Sequence, residues 1–263
     1  MVEYLGLVLS EGCMEMDPIK IAGVWDWPTP KNITEVQSFV GFINFYCRFI
    51  PNFSHVAGPL HHLTKEELWR WTEPEETAFQ ELKPLVTSAP VLILPNQDMH
   101  FQLETDASGY TMGAILSQLC DNEKWHPVSF TSKSLNPAEC NYAIYNKELL
   151  SVICGLEEWR HILEGTKHRI EILNDHRNLM YFRMAQTLNC CQAQWFLYLS
   201  QFNYSLTHRA SKLLAKPNAL SRCVNHQVKG EDNEDQVMLP AECFTSEPPD
   251  PPAKCLLALW VRE

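Results

Sequence analysis

Three carboxylates are spaced so that one fold could gather them. Asp106 closes the alternating run Phe101-Gln102-Leu103-Glu104-Thr105-Asp106. Asp175 follows a second apolar run over 169–173, with His176 directly after it. Glu148 lies midway along a long helical pattern, with Glu158 further on. Carboxylates at strand ends of one sheet, joined by one from a helix packed across it, can converge. Convergent carboxylates bind hard divalent cations, because oxygen ligands suit Mg²⁺ and its octahedral shell. Two such ions about 4 Å apart can activate a water and stabilise the leaving oxygen at a phosphodiester. Spacing alone leaves a second account open, in which these are solvated surface acids.

The elements that must position these groups are legible as patterns. Strand signals cover 101–106, 111–118, 127–131, 169–173 and 202–207, with a turn at Ser108-Gly109. A helical pattern over 137–163 carries Leu149, Val152, Ile153, Leu156 and Trp159 at periodic positions and ends at Glu164-Gly165. Short helices are expected over 178–182, 192–200 and 216–222. Three hairpin-linked strands, a helix, a strand, helices, a strand and a helix give an α/β class with a mixed five-stranded sheet, not a regular βαβ repeat. Residues 1–90 read separately, as a mainly helical region. They open on a strand-like run at 4–9, and Trp27-Pro28-Thr29-Pro30 marks a turn. Thr34 and Gln37 then have capping-box spacing, ahead of one apolar face of Val36, Phe39, Val40 and Ile43 that stops at Pro51. A second helix is expected over 74–86, with Thr72 as N-cap, Glu75 three residues on, and Phe79, Leu82 and Val86 on one face. Residues 91–223 form the α/β region. Residues 224–263 read as a flexible tail, with an acidic run at 231–235 and the extended Pro248-Pro249-Asp250-Pro251-Pro252.

Composition narrows the function classes. The chain has 263 residues, 45% of them hydrophobic and 20% charged, which excludes wholesale disorder. No apolar run reaches the roughly 18 residues of a spanning helix, and the start lacks the basic and apolar parts of a secretory signal. No membrane partner is expected, and the location is expected to be intracellular. The net charge of −11 argues against binding nucleic acid through bulk electrostatics. The tail, with eight acids against three bases, carries −5 of it. Ten cysteines occur without any Cys-x-x-Cys pair, so neither a zinc site nor a disulfide framework is indicated.

The local sequences add a resemblance. Thr105-Asp106-Ala107-Ser108, Gly113 through Gln118, His126-Pro127-Val128-Ser129-Phe130, Asn141-Tyr142 with Lys147-Glu148-Leu149-Leu150, Asn174-Asp175-His176-Arg177-Asn178-Leu179 and Ala219-Leu220-Ser221-Arg222 closely resemble the ribonuclease H domain of Ty3/Gypsy-type long-terminal-repeat retrotransposon polyproteins. Tyr4-Leu5-Gly6, Trp27-Pro28-Thr29-Pro30, Phe39 through Tyr46, Arg48-Phe49-Ile50-Pro51 and Ala78 through Lys83 are similar to the primer grip, thumb and connection that follow the reverse-transcriptase palm. The resemblance runs in order over residues 2–223. It implies an RNase H-like fold that hydrolyses the RNA strand of an RNA–DNA hybrid with two Mg²⁺, Mn²⁺ serving as a substitute. Asp106 would bridge both ions, Glu148 would hold one and orient the attacking water, and Asp175 would complete the other shell. His176 would be catalytic, or would pack or hydrogen-bond beside the site. The paired aspartates of a polymerase palm are absent, so this chain alone is not expected to polymerise DNA. The rest of a polyprotein, palm, fingers and integrase, is an expected partner. The hybrid duplex is the other, contacted through Lys31, Asn44, Arg48, Lys133, Lys147, Arg177 and Asn178 by backbone shape rather than sequence.

One position departs from the family. The usual Lys-Pro-Asp-Ala-Leu-Ser-Arg reads here Lys216-Pro217-Asn218-Ala219-Leu220-Ser221-Arg222. Asn218 offers a neutral oxygen where the family's metal set has a carboxylate, so hydrolysis is expected to be impaired. Cys47, Cys140, Cys190, Cys191 and Cys223 stand where the family usually has arginine, and so does Gln194. All are reachable from arginine codons by one transition, which suggests a decayed copy of a mobile element. Restoring six arginines would bring residues 1–225 close to neutrality, so the acidity does not contradict a hybrid-binding ancestry.

Overall fold

The computed structural model describes residues 1–51, 53–65, 68–175 and 190–209. The first region begins with three antiparallel strands, β1 (Val2–Tyr4), β2 (Leu7–Ser10) and β3 (Cys13–Met16). The single strand expected at 4–9 is therefore a hairpin. Leu5 (φ 51°) and Gly6 (φ 84°) both take the left-handed conformation that a two-residue turn between twisted strands requires. Only glycine fits at position 6: a Cβ there would lie 2.7 Å from Lys20 Nζ and 2.8 Å from the Tyr46 hydroxyl.

Helix α1 (Pro18–Trp25) is capped by Asp17, whose Oδ1 accepts from the Ile19 amide at 2.9 Å. Helix α2 (Ile33–Phe45) starts earlier than Thr34 and Gln37 suggest. Asn32 is its cap: Asn32 Oδ1 accepts from the Glu35 amide, and Glu35 reaches back to the Lys31 amide and the Asn32 side chain. The expected apolar face is buried in full: Val36, Phe39, Val40 and Ile43. A 3₁₀ turn (Cys47–Phe49) and two short helices, α3 (Phe53–Val56) and α4 (Gly58–Leu63), follow. Helix α5 (Glu73–Thr87) has the anticipated capping box of Thr72 and Glu75. Strand β4 (Leu92–Ile93) returns to pair with β3 and completes a four-stranded sheet.

The second sheet is built from β5 (Phe101–Ala107), β6 (Thr111–Leu119), β7 (Trp125–Ser134), β8 (Ile170–Asn174) and β9 (Tyr204–His208), in the order β7-β6-β5-β8-β9. The hairpin-linked strands β5, β6 and β7 pair antiparallel; β5 with β8 and β8 with β9 are parallel. This is the mixed five-stranded α/β sheet of an RNase H-like fold. The long helix is shorter than its pattern. Asn136 and Glu139 cap one another's amides into a 3₁₀ turn (Glu139–Asn141), and Tyr142 is extended. Helix α6 (Ile144–Glu158) starts only after that, and α7 (Arg160–Leu163) continues it. Helix α8 (Cys190–Leu199) packs on α6, while the helices expected at 178–182 and 216–222, and the tail, lie outside the described residues.

Two cores meet on β6. Ala114 and Leu116 join Leu103, Val128, Leu149, Val152 and Leu156 on the α6 side. Ile115 and Phe130 point the other way, into the core of the first region with Phe39, Ile43, Phe49 and Phe79. The regions are also stitched by hydrogen bonds: the Ser54 amide donates to Ser132 Oγ at 2.8 Å, and Ser54 Oγ donates to the Ser132 carbonyl at 2.6 Å. On the α6 side the approach is close. A Cβ at Gly155 would sit 3.2 Å from Leu103 Cδ1 and 3.4 Å from the Ala114 Cβ. We expect Gly155→Val to lower stability by about 1–3 kcal/mol through overpacking, read as a lower urea midpoint at unchanged m-value. A midpoint equal to wild type would show that α6 does not need this contact.

Candidate active site

Each carboxylate is delivered by a different element. Asp106 stands near the C-terminal end of β5, flanked on one side by β6 and on the other by β8. The β5–β8 register pairs Glu104 with Leu173, so continuing it two residues sets Asp106 opposite Asp175. Asp175 follows β8 directly. Glu148 lies in the second turn of α6, whose packing on β5 and β6 brings it over those strand ends. The three side chains offer ligand oxygens that all lie within 4.8 Å of one another. Asp106 and Glu148 are buried, and Asp175 is half-buried.

Electrostatics make the cluster demanding. Burial pushes the Glu148 carboxyl well above its ordinary value of 4.5, and the neighbouring Asp106 and Asp175 charges push it the same way. Two hydrogen bonds pull in the other direction: Asn174 Nδ2 donates to Glu148 Oε2 at 3.0 Å, and the Ala107 amide also donates to Glu148. Buried carboxylates this close cannot all stay charged without a compensating cation. A set of oxygen donors with this charge fits a hard divalent ion. Among the described residues no other group of three such side chains gathers this closely.

The turn after β5 is held by local bonds. Ser108 Oγ accepts from the Thr111 amide at 3.1 Å, and the Ser108 amide donates to the Thr111 carbonyl at 2.8 Å. Lys147 serves the same turn: its ammonium donates to the Gly109 carbonyl at 3.1 Å, and the residue is only 7% exposed. Lys147, expected at a duplex, is placed by the structure in this buried contact. It fastens the start of α6 to the β5–β6 turn. Lys133 is exposed and lines a cavity of about 310 Å³ with Ser132, Ser151, Cys154, Glu157 and Glu158, one helical turn from Glu148. Lys31, Asn44 and Arg48 are exposed on the first region. His176, Arg177, Asn178 and Asn218 lie outside the described residues. Sequence reasoning missed Asn174, because an asparagine before an aspartate at a strand end reads as turn chemistry.

The thiolate is disfavoured by burial at Cys47 and Cys154. Burial pushes Cys154 up to about 11, and it raises Cys47 as well. Cys47 and Cys140 are half-buried, Cys190 and Cys191 are exposed, and the described cysteines are free.

Residues 71–172 match the family model described as the RNase H-like domain found in reverse transcriptase. The Tf2-3 and Tf2-4 transposon polyproteins of Schizosaccharomyces pombe are each 36% identical over 227 residues, covering 85% of this chain and 17% of theirs. The chain therefore spans about 17% of the length of these curated relatives. Among solved structures, the foamy viral protease-reverse transcriptase in complex with RNA/DNA hybrid superposes with a TM-score of 0.66 at 18% identity, covering 91% of this chain and 32% of that one. The same enzyme in complex with dsDNA gives 0.67 at 18% identity, covering 80% and 45%. At that identity the likeness speaks for the fold alone. Taken with the acidic cluster and the sheet order, the matches place the chain: it belongs to the Gypsy-type long-terminal-repeat retrotransposon polyproteins, and residues 71–172 carry the RNase H-like domain found in reverse transcriptase.

Proposed function

We propose that this chain hydrolyses the RNA strand of RNA–DNA hybrids, using two Mg²⁺ ions for which Mn²⁺ can substitute, at a rate held down by Asn218. One observation carries the reading: three carboxylates, on β5, on α6 and directly after β8, offer oxygens within 4.8 Å of one another, two of them buried. Asp106, Glu148 and Asp175 would hold the ions, with Asn218 as a weaker fourth donor. When bound, the ions supply an activated water and charge stabilisation at the leaving oxygen. The protein's own contribution is placement. Asp106 is fixed by strands on both sides, and Glu148 is fixed by Asn174 and the Ala107 amide. His176 is a candidate for proton handling beside Asp175. Exposed Asn44, Arg48 and Lys133, with Arg177 and Asn178, are candidates for backbone contacts to the duplex. The foamy viral neighbour is seen with dsDNA and with RNA/DNA hybrid, which supports such a partner. The relatives are long polyproteins, which supports palm, fingers and integrase segments as further partners.

A second reading, a hybrid-binding module without hydrolysis, is favoured by the asparagine at 218. A labelled hybrid with Mg²⁺ separates the two. Asn218→Asp is expected to cut at least about 10-fold faster than wild type, as restoring a charged ligand strengthens the site. Asp106→Asn should not cut. Equal rates for wild type and Asn218→Asp would refute the impairment. Binding of the hybrid with no cleavage even by Asn218→Asp would establish the second reading.

A further inference from the structure

We propose that Asn174 is a positioning residue that holds the Glu148 carboxylate where a divalent cation needs it; this rests on reading the triad as a cation site. Asn174 ends β8, immediately before Asp175, and is 2% exposed. Its amide nitrogen donates to Glu148 Oε2 at 3.0 Å, to the Thr105 carbonyl at 3.3 Å and to Thr105 Oγ1 at 3.2 Å. A main-chain carbonyl only accepts, so the nitrogen, not the oxygen, must face the Thr105 carbonyl and the Glu148 oxygen beside it.

One side chain thereby joins three elements. It ties the end of β8 to the residue before Asp106 on β5, and it pins the carboxylate that arrives on α6. A glutamate side chain has three rotatable bonds, and the charges of Asp106 and Asp175 repel this one. Without a donor at 174, the Ala107 amide is the donor left to it among the described residues. Serine is too short to reach Glu148 from the same backbone. Aspartate would replace the donor with a fourth negative charge. Groups that orient metal ligands commonly change affinity by about 10–100-fold when removed.

The test uses the full chain and Mn²⁺ alone, with free Mn²⁺ read by electron paramagnetic resonance and melting followed without metal. Asn174→Ala should weaken Mn²⁺ binding by about 10-fold or more. Leu173→Ala, at an equally buried neighbour on the same strand, should lower the melting temperature while leaving Mn²⁺ affinity close to wild type. Wild-type affinity in Asn174→Ala overturns the proposal, and so does an equal loss in Leu173→Ala. If Asn174→Ala does not fold, Asn174→Ser decides by the same comparison. Asp106→Asn separates the two levels. If wild type binds no Mn²⁺, or Asp106→Asn binds it as well as wild type, the cation reading itself falls.

Discussion

Glu148→Gln is expected to make the metal-free chain more stable at neutral pH, by roughly 1–3 kcal/mol, and to abolish any stabilisation by Mn²⁺. The magnitude is that of relieving a buried polar group whose surroundings do not satisfy its charge. The isosteric amide keeps an oxygen that can accept from Asn174, so the packing of α6 is retained. The sign follows from the direction of the shift. Folding raises the Glu148 carboxyl well above 4.5, so the folded chain holds a proton that the unfolded chain has released. The stability this adds is complete below the ordinary carboxylate range and is lost as pH climbs through the raised value. Wild type without metal should therefore lose stability with rising pH over that window, and Glu148→Gln should not. Differential scanning calorimetry across the window, with and without Mn²⁺, measures both effects. A wild-type curve that is flat with pH, or a destabilised Glu148→Gln, would show that the site carries no such strain.

Removing residues 1–90 should leave a fragment that does not melt cooperatively. The first region covers Ile115 and Phe130, which are 2% and 8% exposed in the whole chain. Exposing two such side chains costs about 3–6 kcal/mol at roughly 1.5–3 kcal/mol each. That is comparable to the 5–15 kcal/mol that holds an ordinary domain together. The fragment also loses the Ser54–Ser132 hydrogen bonds and the pairing of β4 with β3. It should bind a dye for exposed apolar surface and show no sharp circular-dichroism transition. A sharp transition at the temperature of the whole chain would mean that the α/β sheet stands without its cover.

The strands and the three acids were readable because their local chemistry matches their setting. Phe101 to Asp106 has the length and alternation of a strand, although β5 proves buried on both faces, and Asp106 and Asp175 close runs that became adjacent parallel strands. Other features depended on partners distant in sequence. The turn at Leu5-Gly6 hides in an apolar run, since a leucine at positive φ gives no signal of its own. The cap of α2 sits at Asn32 because Glu35 reaches back to it, and Thr34 offers a competing pattern two residues away. Lys147 reads as a solvated charge until the Gly109 carbonyl folds next to it. Asn174 became visible only when Glu148 arrived from a helix 26 positions upstream.

The placement of Asp106 has a consequence for motion. Its strand is the middle of five, with two neighbours on each side. Amides in such a strand exchange with solvent only when most of the sheet opens, at a free energy near that of global unfolding. Asp106 therefore has no cheap local opening through which to drift from Glu148 and Asp175. Their mutual repulsion is relieved by a proton, by a cation, or by loss of the whole fold.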